Sequence, residues 1–149
     1  MLGATDGAAA AGAWAAVCAD LASSIPWLLW SAVTVWIAGF DLIYACQDVD
    51  FDRREGLYSI PARFGVAKGL WLAQICHLLT VLALALVGWM AGLGWPYWLG
   101  LLAVVVLLAY EHSLVRPDDL SRVNLAFFTV NGYISIIAFA STFMALLVS

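Results

Sequence analysis

The chain has 149 residues, 65% of them hydrophobic and 11% charged, with a formal net charge of −4 at pH 7. That length suits one domain, but the apolar fraction excludes an ordinary water-soluble one. Six lysines and arginines are too few to build a basic face that tracks nucleic acid, so that partner class is excluded too.

Apolar runs separated by turn residues predict an all-α, polytopic transmembrane helical bundle, read as a single membrane domain with five spans. About 18 or more apolar residues suffice to cross the hydrocarbon core. The first span, residues 2–22, is rich in Ala and Gly and carries Asp6 and Asp20. It lacks the basic opening of a secretory signal peptide. The second runs over 26–47 from Pro26, the third over 67–91, the fourth over 96–115 and the fifth over 123–148. Cys18, Cys46 and Cys76 fall inside apolar runs without a CxxC spacing, which predicts packed thiols rather than disulfides or a zinc site.

The basic residues orient this bundle. Arg53, Arg54, Arg63 and Lys68 follow span two, and Arg116 and Arg122 follow span four, so all six fall on one side. The positive-inside rule makes that side cytoplasmic, in what is expected to be a bacterial inner membrane. Trp27, Trp30, Trp89, Trp95 and Trp98 cluster at the opposite ends, as an interfacial aromatic belt would.

Residues 41–56, DLIYACQDVDFDRREG, break the apolar pattern with Asp41, Asp48, Asp50, Asp52, Glu55 and two arginines. If span two continues as a helix, Asp41, Tyr44, Asp48, Asp52 and Glu55 share one face. Asp41 then lies about 10 Å deeper than Asp48 along the axis. An acid at a span's centre costs roughly 2.5–3.5 kcal/mol and normally faces the bundle interior or a water-filled cavity. A solvated helix end, with Asp50–Arg54 and Asp52–Arg53 ion pairs, is one reading of the cluster. Acids at a helix C-terminus oppose the macrodipole, however, and that favours a compensating cation. Carboxylates at i and i+4 suit Mg²⁺, which takes one or two of them and completes its shell with water and phosphate oxygens. Asp50 faces away from that stripe. His77, Glu111 and His112 read as packing residues, Asp118 and Asp119 as a helix start after Pro117, and Asn124 and Asn131 as interhelical hydrogen-bonding groups.

The run GFDLIYACQDVDFDRREGLYSIPARFG, residues 39–65, resembles the second aspartate-rich motif of the UbiA superfamily of intramembrane prenyltransferases. Within that superfamily it is most similar to the 4-hydroxybenzoate polyprenyltransferases of quinone biosynthesis, with the choice between a ubiquinone and a menaquinone pathway left open. YEHSLVRPDDLSRVNLAFFTVNGYIS, residues 110–135, resembles the family's later region. The resemblance implies a nine-span bundle in which two acidic motifs face each other across a cytoplasm-facing cavity. There, Mg²⁺ and the diphosphate of a polyprenyl donor meet an aromatic acid acceptor. Asp48 and Asp52 match the family's DxxxD and are the implied catalytic and metal-binding pair. Asp41, Tyr44, Arg53, Arg54 and Arg63 are the candidate substrate-binding residues.

The family's first motif, NxxxDxxxD, does not occur in these residues. The resemblance therefore covers the C-terminal part of the fold. It predicts that the chain needs the N-terminal half of the same fold and is inactive alone. Two other classes fit the composition: a non-catalytic bundle that binds a polyprenyl lipid or a partner chain, and a transporter with intramembrane acids.

Overall fold

The computed structural model describes residues 2–18 and 22–148, which are helical apart from turns and one isolated β-bridge. Helix α1 is Leu2–Cys18, α2 Ile25–Ala45, α3 Val49–Glu55, α4 Ile60–Phe64, α5 Val66–Met90 and α6 Trp95–Leu114. A π-helical segment, Leu125–Val130, leads into α7, Asn131–Val148.

Four helices are long and apolar enough to cross a bilayer: Ile25–Ala45, Val66–Met90, Trp95–Leu114 and Leu125–Val148. At 1.5 Å per residue, 20 residues give about 30 Å, the thickness of the hydrocarbon core. The first expected span appears as α1, with 17 described residues. Residue 22, its expected end, lies in a bend beyond the helix, while residues 19–21, with Asp20, and the Cys18 side chain lie outside what is described.

Helix α2 is the hub, packed on α1 along one side and α5 along the other, while α6 pairs with α7. The core is built from Phe40, Ile43, Cys46, Leu70, Ala73, Val104, Leu108, Val123, Ala126, Val130 and Ile134. Long side chains such as Leu82, Leu102, Phe139 and Leu147 point outward, as a lipid-facing surface requires. Without a hydrophobic force between helices in lipid, close packing of small residues holds the bundle. Gly39 of α2 lies directly under the His77 ring, and Gly88 of α5 under the Tyr97 ring. Tyr97 also donates its hydroxyl to the Leu84 carbonyl at 2.7 Å.

Three expectations are corrected here. Span two ends at Ala45 rather than continuing through the acidic cluster. The amides of Cys46, Gln47 and Asp48 bond to Ile43, Tyr44 and Ala45, three residues back, which tightens the last turn and stops the helix. The acids therefore do not form one continuous stripe. Asp50 and Asp52 stand in the first turn of α3 and Arg53 and Arg54 in its last, so both signs suit the dipole. The dipole argument for a compensating cation falls with the helix that carried it.

Asp118 and Asp119, likewise, start no helix. They sit in a turn closed by backbone bonds between Arg116 and Asp119, each 3.1 Å long. Asp119 Oδ1 accepts from the Ser121 amide at 3.0 Å and its hydroxyl at 2.7 Å, an Asx turn that competes with helix initiation. Neither Asn124 nor Asn131 bonds another helix through its amide among the described residues. The π-helical segment between them alters the register that their spacing of seven assumed.

Candidate active site

The acidic motif and the loop after it enclose a cleft of about 400 Å³, lined by Asp52, Arg53, Gly56, Leu57, Tyr58, Ala62 and Arg63. Its shape follows from local sequence. Gly56 takes a left-handed conformation, φ 68°, and with Leu57 donates to the Asp52 carbonyl, turning the chain back on itself. Ser59 then caps α4 by accepting from the Ala62 amide at 3.2 Å, with Pro at the start of that helix. Arg53 ties the two short helices together, donating Nε–H to the Ala62 carbonyl at 3.0 Å.

Asp52 is 9% exposed, on the same inward face of α3 as Val49. Asp48 is exposed at the N-cap position, its carbonyl accepting from the Asp52 amide at 2.7 Å. No ion pair engages either carboxylate among the described residues, so the Asp52–Arg53 and Asp50–Arg54 pairs do not form. Arg54 instead reaches the main-chain carbonyl of Asp50 at 3.2 Å, outside the cleft. The structure thus brings Asp52, Arg53 and Arg63 together and leaves Arg54 aside. Asp41 is exposed on α2. Tyr44 is 39% exposed, its ring 4.8 Å from Phe127 and 6.5 Å from Phe128.

Among the described residues no three His, Cys, Asp or Glu side chains converge as a ready-made metal cage. Of the expected metal pair, Asp52 lines the cleft and Asp48, exposed at the N-cap of α3, does not. Both carboxylates are free of cationic partners among the described residues, and oxygen donors of this kind are the type Mg²⁺ takes.

Two features escaped the sequence reading. Phe127 and Phe128, on the π-helical segment, supply the aromatic surface against Tyr44. His77 and His112 are hydrogen-bonded to each other across α5 and α6, and Glu111 beside them is fully buried with neither carboxylate oxygen bonded. The tight turn at Gly92–Gly94 makes α5 and α6 an antiparallel hairpin, and counting outward from it brings His77 within about one helical turn of His112, which is as near as the sequence could have placed them.

The chain matches the UbiA prenyltransferase family over residues 1–146. It is 32% identical over 145 residues to a 4-hydroxybenzoate octaprenyltransferase of Salmonella newport, covering 97% of this chain and 49% of that protein. An enzyme of the same name from Cupriavidus necator is 31% identical over 126 residues, 85% of this chain and 44% of that one. Another, from Alcanivorax borkumensis, is 39% identical over 92 residues, 62% and 31% respectively. The chain spans less than half the length of these relatives. No solved structure matches it.

Proposed function

The chain belongs to the UbiA prenyltransferase family, and we propose that it forms the part of a membrane enzyme that holds the diphosphate of a polyprenyl donor during transfer to an aromatic acceptor. The acceptor in this reading is an aromatic acid such as 4-hydroxybenzoate, as the names of the relatives suggest. The observation that carries the reading is the cleft in which a largely buried carboxylate, Asp52, shares walls with two guanidinium groups, Arg53 and Arg63.

The chemical problem is charge. Diphosphate departs as a polyanion while positive charge develops on the allylic carbon. Asp48 and Asp52 would hold Mg²⁺, which when bound would supply Lewis-acid stabilisation of the leaving oxygens. Arg53 and Arg63 contribute fixed positive charge at the same cleft, and the bond from Arg53 to Ala62 keeps that guanidinium from swinging into solvent. Tyr44 with Phe127 and Phe128 offers an aromatic surface of the kind that favours a cationic carbon over water. Asp41, three residues before Tyr44 on α2, is the remaining candidate for contact with a substrate. The first acidic motif is supplied by polypeptide outside these 149 residues, so the chain alone does not turn over. The cleft faces the cytoplasm of a bacterial cell, on the side that carries all six basic residues.

The test is prenyl transfer across a Mg²⁺ titration, in a whole protein carrying both motifs at matched membrane expression. Asp48→Ala and Asp52→Ala should each lower transfer by roughly a hundredfold or more, with excess Mg²⁺ recovering part of it. Asp50→Ala, on the exposed side of α3, should be mild. Equal losses in all three would sink the assignment.

A further inference from the structure

At the edge of the cleft, Arg63 of its wall and Lys68 outside it share one aromatic ring. The Arg63 guanidinium carbon lies 5.3 Å, and Lys68 Nζ 5.9 Å, from the Phe64 ring centroid. Neither has a carboxylate partner among the described residues. Two like charges gathered on one ring repel each other, and an anion between them would relieve that repulsion.

Phe64 and Lys68 also wall a hollow of about 350 Å³, completed by Trp71 and Leu72. Lys68, Trp71 and Leu72 stand at i, i+3 and i+4 on α5 and share one face of it. Phe64, the last residue of α4, closes the hollow from the other side of the Gly65 bend. Lys68 is the third residue of the 25-residue span Val66–Met90. That is the depth at which a lysine extends its stem over hydrocarbon and its ammonium into the headgroup layer. Trp71, 60% exposed, lies about 4.5 Å further into the membrane. Its indole suits the interfacial zone. A soluble anion would use the cations and leave the apolar wall bare. A polyprenyl or acyl tail alone would use the wall and leave the charges unmet.

We propose that Lys68, Phe64, Trp71 and Leu72, with Arg63 at the rim, form a binding site for an anionic phospholipid. The lipid phosphate lies against Lys68 and an acyl chain runs along Trp71 and Leu72. The headgroup must be net negative, because a zwitterionic lipid carries its own ammonium to cancel the phosphate. This site does not depend on prenyl transfer.

Native mass spectrometry of the detergent-purified full chain, with phosphatidylglycerol and phosphatidylcholine at equal concentration, tests it. Phosphatidylglycerol should be retained in preference. Lys68→Gln should weaken that retention about fivefold, the loss expected for one lysine at an anionic surface. Lys68→Arg should restore most of it, Trp71→Ala should lower retention of lipid, and Arg122→Gln, in the other basic loop, should change nothing. Unchanged thermal stability in Lys68→Gln would separate lost binding from misfolding. Equal retention of the two lipids, full retention in Lys68→Gln, or an equal loss in Arg122→Gln would overturn the site. So would displacement of phosphatidylglycerol by an added polyprenyl diphosphate, which would make the hollow part of the donor site.

Discussion

His77 Nδ1 and His112 Nε2 lie 2.9 Å apart, joining α5 to α6 inside the bundle. One ring donates and the other accepts. The His77 ring also packs on Phe40, with centroids 4.8 Å apart, over the bare backbone of Gly39. It therefore fills space as well as making a bond.

A double-mutant cycle separates those two roles. His112→Ala should cost little beyond the hydrogen bond. His77→Ala should cost more, about 2–4 kcal/mol, because it also opens a void. The coupling between them should be about 0.6 kcal/mol and no more than about 1.7 kcal/mol, the range for interhelical bonds in membranes. Reversible unfolding in mixed micelles measures all three, and zero coupling would mean the rings only pack.

Gly39 makes the close approach of α2 and α5 possible. A Cβ there would collide with the His77 ring and approach Cys76. Gly39→Ala should therefore destabilise by about 1–3 kcal/mol, the usual cost of overpacking. Gly12→Ala, with nothing within 4 Å of the added carbon, should be harmless in the same assay.

Asp119 should show its environment in a titration. Its carboxylate accepts from the Ser121 hydroxyl and amide, and these bonds, with Arg122 and Arg116 nearby, hold its pKa below the ordinary 3.8. A depressed folded pKa means the turn gains stability that is complete above the unfolded value and is lost as pH falls through the folded one. Ser121→Ala should raise the Asp119 pKa towards 3.8. Carboxyl NMR shifts across pH 2–5 would check this, and a titration unchanged by the substitution would refute the role of Ser121.

Topology makes a further prediction. Single cysteines at Ser59 and Gly94, in a background without the native thiols, should react with a membrane-impermeant reagent from opposite sides. The motive is that the loop bearing Ser59 is basic, whereas the Gly92–Gly94 turn has no charge. Labelling of both from one side would invert the model of a bundle with a cytoplasmic cleft.

The spans were legible because length and apolarity against a fixed hydrocarbon thickness leave few alternatives. The short helices of the cleft were not read, although Gly56, and Ser59 before Pro61, are the residues that mark them in the structure. What could not be read was the break after Ala45. Nothing in ACQD carries Gly or Pro, and the helix stops where tertiary packing takes over. Cys46 is 1% exposed, bonding the Leu42 carbonyl at 3.2 Å and reaching the Val66 carbonyl at 4.0 Å. That single turn decides which helix end the acids occupy. His77 and His112 were read apart for a related reason: 35 residues separate them, and only the hairpin joins them.

The π-helical segment Leu125–Val130 has a bearing on how this stretch tolerates change in length. A π turn is an α-helix that has taken up one surplus residue. Deleting a single residue there returns the segment to α-geometry and leaves Ile134 and Ala145 still buried on the inner face of α7. The same deletion in the middle of α5 or α6 would rotate everything beyond it by about 100°, turning its inner face towards lipid. Gaps of one residue between homologous chains should therefore gather at 125–130, where the helix holds slack that its neighbours lack.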